Sequence, residues 1–171
     1  RTFNASGVLS TTESYSTNPV ECMLDYLTND RYGKGLTASD FETGYTSFYN
    51  AFQICDALVE SYSGGTYINT FNCNTVLSTD STIMDNVKVL LNGMRGLMPY
   101  TQGVYKLIVE NTGSPSFAFT EDHIIEGISI SGEKKGTRFN RVIATFTNKD
   151  NNWQDDQAIY PEAGSSEETT L

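Results

Sequence analysis

From Val20 onward, apolar side chains recur with the spacing of a helix that has one buried face: Val20, Met23, Leu24 and Leu27. Asn18 stands where an N-cap is needed, Pro19 suits the first helical position, and Glu21 falls where a capping box places its reciprocal acid. Asn29-Asp30 ends the period, and Gly33 and Gly35 permit a sharp reversal. Thr37, with Asp40 three residues on, begins a short second start that reaches Phe41. A longer helix is predicted over 45–62, with Phe48, Phe52, Cys55, Leu58, Val59 and Tyr62 on one broad face and Ser63-Gly64-Gly65 closing it. A third is predicted over 82–94, capped by Ser81, with Ile83, Val87, Leu90, Leu91 and Met94 inward and Gly96 as its stop.

Between and after these helices the content turns to β. Residues 66–77 mix Tyr67, Ile68, Phe71 and Val76 with Thr and Asn, and further strands are predicted over 97–100, 104–110, 124–131 and 139–147. Gln102-Gly103 and "GEKKG" at 132–136 are the turn signals. Residues 1–17 are Ser-, Thr- and Asn-rich without period and read as a linker or edge segment. Residues 148–171 are polar apart from Trp153, Ile159 and Tyr160, and read as partly disordered. The expected plan is α+β: a helical subdomain over 18–65, then a helix packed on a mostly antiparallel sheet over 66–147.

Composition narrows the classes. With 38% hydrophobic and 12% aromatic residues over 171 positions, the chain has enough large apolar side chains for a sizeable core. A net charge of −10 argues against a nucleic-acid backbone or an anionic membrane surface as partner. No apolar run approaches membrane-spanning length. Both ends read as cuts within a longer protein. The three cysteines, Cys22, Cys55 and Cys73, form no C-x-x-C pair and read as reduced, buried hydrophobes, with neither a disulfide framework nor a zinc site expected.

Candidate chemistry is sparse. His123 is the only histidine, and Glu121-Asp122-His123 offers an acid beside an imidazole, although a loop leading into a strand explains it more simply. Asp25, Asp30, Asp40 and Glu42 cluster near a turn, where caps and solvated helix faces favour acids anyway. Gly33-Lys34-Gly35 lacks the spacing and the preceding strand of a phosphate loop. Arg31 has two options, a helix C-terminal carbonyl or an acid across the bend, and Tyr32 is expected to lie on the helix pair. Arg95 suits a helix C-terminus, and Arg138 with Arg141 is too small a basic group for nucleic acid. No catalytic residue, metal site or cofactor is expected.

The stretch "NPVECMLDYLTNDRYGKGL", residues 18–36, resembles the N-P-x-x-x-x-x-D-x-L-T-x-x-R-Y-G-x-G-L block of phage tail-tip attachment, or host-specificity, proteins, the lambda J-like baseplate hub family. Matching positions are Asn18, Pro19, Asp25, Leu27, Thr28, Arg31, Tyr32, Gly33, Gly35 and Leu36. Cys55-Asp56, Phe71 to Asn74, Asp85-Asn86 with Leu90-Leu91, Arg95-Gly96, "GVYKL" at 103–107 and "RFNRVIATFTN" at 138–148 with Trp153 follow in the family's order. The resemblance implies a virion structural module of the distal tail hub, with no enzymatic activity. It implies a ring-forming homo-oligomer, a trimer by family habit, that meets tail-tube, tail-tip and fibre proteins. It also implies a location at the virion tail tip after synthesis in the bacterial cytoplasm, without direct nucleic-acid binding or membrane insertion. In that setting 18–65 is a helical insertion and 66–147 the hub domain. Asn18, Pro19, Asp25, Arg31, Tyr32, Gly33 and Gly35 are then expected to form a rigid corner between them. A bacterial-surface or glycan-binding module is the alternative.

Overall fold

The computed structural model describes residues 1–60, 65–113, 115–125, 127, 129, 131–132 and 141–161. The chain divides into two compact units, Arg1–Pro115 and Ser116–Leu171.

The first unit holds helices α1 (Pro19–Thr28), α2 (Thr46–Asp56) and α3 (Ile83–Gly93). With them are three short antiparallel pairs. β1 (Leu58–Glu60) pairs with β2 (Tyr67–Asn69), β3 (Gly96–Leu97) with β6 (Ile108–Val109), and β4 (Tyr100–Thr101) with β5 (Val104–Tyr105). α1 packs on α2 and α3, α2 on β6, and α3 on β3, an α+β arrangement of N-terminal helices against antiparallel strands. The single broad sheet expected from the pattern is divided, among the described residues, into separate two-stranded pieces. The apolar stripes converge: Val20, Met23, Leu24 and Leu27 from α1, Phe48, Ala51 and Cys55 from α2, and Val87 and Leu90 from α3 are all buried. Phe3, Tyr26, Phe41, Met94, Leu107 and Val109 complete this core, with the Phe41 ring meeting Phe48 edge-on at 5.3 Å. Each Val, Leu, Met or Phe among them contributes about 1.5–3 kcal/mol through removal from water.

Several elements differ from their sequence expectation for local reasons. α2 stops at Asp56, not at 62, because segment 70–71 takes the carbonyls that another helical turn would use. Phe71 N–H donates to Cys55 O at 3.2 Å and Thr70 N–H to Ala57 O at 2.8 Å. Leu58 and Val59, expected on the helix face, lie exposed in β1. The cap of α3 is Thr82, one residue past Ser81: its Oγ1 accepts the Asp85 N–H at 3.1 Å and donates to Asp85 Oδ2 at 2.6 Å. The strand expected over 104–110 breaks in two because Lys106 N–H turns to Pro99 O and Leu107 N–H to Ser47 Oγ. Gln102 and Gly103 both take positive φ, 55° and 85°, as the hairpin turn between β4 and β5 requires. Past Asn69, the expected strand to Leu77 has no ladder; Phe71, Cys73 and Leu77 pack against the core individually.

In the second unit, β7 (Val142–Asn148) and β8 (Gln154–Tyr160) form a hairpin in register from Val142↔Tyr160 to Asn148↔Gln154. A 3-10 turn, Lys149–Asn151, and the left-handed Asn152 and Trp153 join them. β8 lies in the segment that reads as polar and partly disordered. Its sequence, QDDQAIY, has little strand content, and its ladder comes from pairing with β7. Ile124 and Ile125 carry no strand, and the remainder of the strand expected over 124–131 and the "GEKKG" turn fall in part outside the described residues.

Candidate functional site

The corner after α1 is built mostly from backbone. Asn29 caps the helix, its N–H donating to Asp25 O at 3.0 Å, while its side-chain Oδ1 accepts the N–H groups of Arg31 and Tyr32 at 2.9 and 3.2 Å. The chain then folds back along the helix end. Lys34 N–H donates to Tyr26 O at 3.3 Å, Gly35 N–H to Asn29 O at 3.1 Å and Leu36 N–H to Leu27 O at 2.9 Å. Carbonyls that a helix C-terminus leaves without partners are thereby satisfied.

Two glycines make the approach feasible for different reasons. A Cβ on Gly33 would lie 1.7 Å from Tyr26 O, so the backbone contact itself demands the missing side chain. Gly35 has φ +67°, and a Cβ there would sit 3.1 Å from Asp30 Oδ1. Across the bend the Tyr32 hydroxyl donates to Asp25 Oδ2 at 2.6 Å, and this bond to a carboxylate pushes the phenol up to about 12. The Tyr32 ring remains substantially exposed. Arg31 contributes its backbone N–H and forms no ion pair among the described residues.

At the other end of α1, Asn18 Oδ1 accepts the Val20 N–H at 3.0 Å, and Asn18 Nδ2 donates to Phe52 O at 3.2 Å, which ties α1 to α2. Pro19 is fully buried. Glu21 does not close the expected capping box: the Asn18 N–H goes to Ser16 Oγ at 3.0 Å, and Glu21 Oε1 accepts the Phe3 N–H at 2.6 Å. The buried carboxylate therefore holds the N-terminal segment, whose Phe3 ring lies 5.5 Å from both Tyr49 and Phe52. Sequence reasoning missed this role. It also missed Asn86, a polar residue on an apolar helix face, whose Nδ2 donates to Tyr26 Oη at 2.9 Å and Ser78 O at 2.8 Å in the interior.

Between these features lies an open cavity of about 690 Å³ whose lining includes Tyr15, Glu21, Cys22, Asp25, Tyr26 and Tyr32. Its chemistry is that of hydroxyls and carboxylates over a partly apolar floor.

The remaining candidates each have local partners of their own. Asp40 accepts from the N–H and hydroxyl of Thr37, which hold its pKa down, and Glu42 accepts the Ser47 N–H. His123 lies in a 3-10 turn with Nδ1 2.8 Å from Thr120 Oγ1 and its ring against Phe117, 4.9 Å between centroids. Arg95 follows α3, sits 5.3 Å from the Phe71 ring centroid and pairs loosely with Glu110 at 3.9 Å. Arg138 lies outside the described residues. Among the described residues, no group of three His, Cys, Asp or Glu side chains is placed to hold a metal ion, and no helix is long and apolar enough to cross a membrane.

No family model matches the chain. It is similar to the tip attachment protein J of Escherichia phage SECphi27, 23% identical over 145 residues, covering 84% of this chain and 12% of that protein. It is also similar to the baseplate hub protein pb3 of Escherichia phage T5, 22% identical over 169 residues, covering 90% of this chain and 18% of that protein. The chain is thus a distant, partial homologue of phage tail-tip and baseplate hub proteins, and it spans less than a fifth of the length of either.

Proposed function

We propose that this chain is a structural module of the distal tail hub of a long-tailed phage, prophage or related tail-like particle. In this reading it works by assembly: copies of the full-length protein form a closed ring, a trimer by family habit, that joins tail-tube, tail-tip and fibre proteins. The ring closes the tail until the host is met and then opens for DNA delivery. The observation that carries the reading is that a tip attachment protein and a baseplate hub protein of different phages each align with more than four-fifths of this chain. The corner formed around Asp25, Arg31, Tyr32, Gly33 and Gly35 would hold the helical part at a fixed angle within such a ring, and Asn18 and Pro19 would anchor the start of α1. No catalytic group and no cofactor enters the reading.

A second reading, a module that binds bacterial surface glycans, draws on the cavity, since tyrosine rings and carboxylates suit sugar faces and hydroxyls. Immunogold electron microscopy of particles induced from the source strain, with antibodies against the chain, separates the two. Gold at the distal tail tip is the expected result. Gold on the cell envelope with bare tail tips would overturn the hub reading and favour the glycan module.

A further inference from the structure

Two of the three cysteines converge on one short stretch of backbone. The Cys22 thiol, on the outer side of α1, donates to Ser16 O at 3.6 Å. Cys73 donates its N–H to the next carbonyl, Thr17 O, at 2.7 Å, and the neighbouring Asn72 Oδ1 accepts from Thr17 Oγ1 at 3.2 Å. The two thiols are near enough to shift each other's titration in opposite directions. Both residues are half-buried, so neither is closed off from solvent, and Cys22 lines the open cavity. Cys55 is fully buried in the core.

We propose that Cys22 and Cys73 are a redox-active pair that closes to a disulfide by exchange with a small-molecule disulfide, stapling α1 to the 70–75 segment. The proposal is independent of the tail-hub reading. Cys73 is the attacking group: the neighbouring Cys22 thiol lowers its pKa, which favours a thiolate on Cys73 over one on Cys22. The thiolate attacks one sulfur of the small disulfide, whose S–S bond breaks and releases one small thiolate. The product is a mixed disulfide on Cys73. Cys22 is initially held far above the ordinary thiol range, first by the influence of Cys73 and then by burial. That first cause disappears once Cys73 is capped. Cys22 then loses its proton to solvent and attacks the Cys73 sulfur, expelling the second small thiolate. In balance, one protein dithiol and one small disulfide become one protein disulfide and two small thiols.

The bond would enclose a loop of about 50 residues and restrict the unfolded chain, which for a chain of this size corresponds to a rise in Tm of roughly 5–10 °C. The test incubates the 171-residue chain with oxidised glutathione or with dithiothreitol and compares mass, free thiols and melting. Expected are the loss of two thiols without retained glutathione and a cross-link placed between Cys22 and Cys73 by peptide fragmentation. The oxidised form should also melt higher than the reduced one. Cys73→Ser should remove both the cross-link and the rise, and Cys22→Ser should stop at a stable glutathione adduct on Cys73. Three free thiols after oxidation, an adduct that never closes in the unsubstituted chain, or a link through Cys55 would overturn the proposal. Mass and thiol content are read on the unsubstituted chain, so the result stands even where a serine variant folds poorly.

Discussion

The two units spend their apolar residues in opposite ways. In Arg1–Pro115 three helices bring their stripes into one interior, where Phe48, Met23 and Leu24 are almost completely removed from water. In the β7–β8 hairpin every ladder is formed, yet Val142, Ile143, Phe146, Ile159 and Tyr160 all remain exposed. The first unit is held by burial, whereas the described part of the hairpin is held mainly by backbone pairing and cross-strand neighbours. Because a two-stranded ribbon is marginal in water without a covered face, the contrast locates the molecule's intrinsic stability in the helices.

The comparison can be broken most directly at the centre of the core. Phe48→Ala should cost about 3–5 kcal/mol in urea unfolding, because it removes a ring packed against Phe41 and Tyr45 and leaves a cavity. A loss as small as a surface change would refute the central place given to α2. Gly33→Ala comes next, at about 1–3 kcal/mol, since the new methyl group must displace the Tyr26 carbonyl. Asn86→Ala should cost a similar amount, about 1–3 kcal/mol, by leaving the buried Tyr26 hydroxyl without this partner; recovery by Asn86→Gln would argue against so specific a geometry.

Smaller still is Tyr32→Phe, below about 1 kcal/mol because the pair is exposed. Its signature is pH dependence. The folded pKa lies above the value of about 10 expected when unfolded, so the contribution is complete below pH 10 and fades as pH rises through about 12. Ultraviolet titration should show Tyr32 ionising late, as burial also makes Tyr45 do, and the variant should lose the Tyr32 step alone. Ile143→Ala in the ribbon should change stability by no more than about 0.5 kcal/mol, the level of ordinary surface substitutions. A multi-kcal loss there would mean that the ribbon face is covered.

The helices were legible because their signals are local. Asn18, Pro19 and the Val20–Met23–Leu24–Leu27 stripe place α1 within a residue, and Gly103 after Gln102 places a turn. What was illegible depends on partners far along the chain. Nothing near Leu58 shows that Thr70 and Phe71 will claim the carbonyls ending α2. Glu21 carries the residue type of a capping box, but the Phe3 N–H, eighteen positions away, competes for it and wins. Likewise β8 has too little apolar content to declare itself, and the adjacency of Cys22 and Cys73 has no trace in their spacing. In the candidate site, Gly33 and Gly35 were readable as a reversal, whereas the bond between Tyr32 and Asp25 required the fold.

The return of 34–36 along the end of α1 also has a consequence in time. Helix termini ordinarily exchange their amide protons first, because the last turn opens without disturbing the rest. Here the amides of Lys34, Gly35 and Leu36 are donated to acceptors within or just beyond α1, and those of Arg31 and Tyr32 to its capping residue. For the hydrogens of Lys34, Gly35 and Leu36 to reach solvent, the loop and the final helical turn must separate. In deuterated buffer the loop should therefore keep its protons nearly as long as the buried turns of α1 do, although nothing in its backbone is helical.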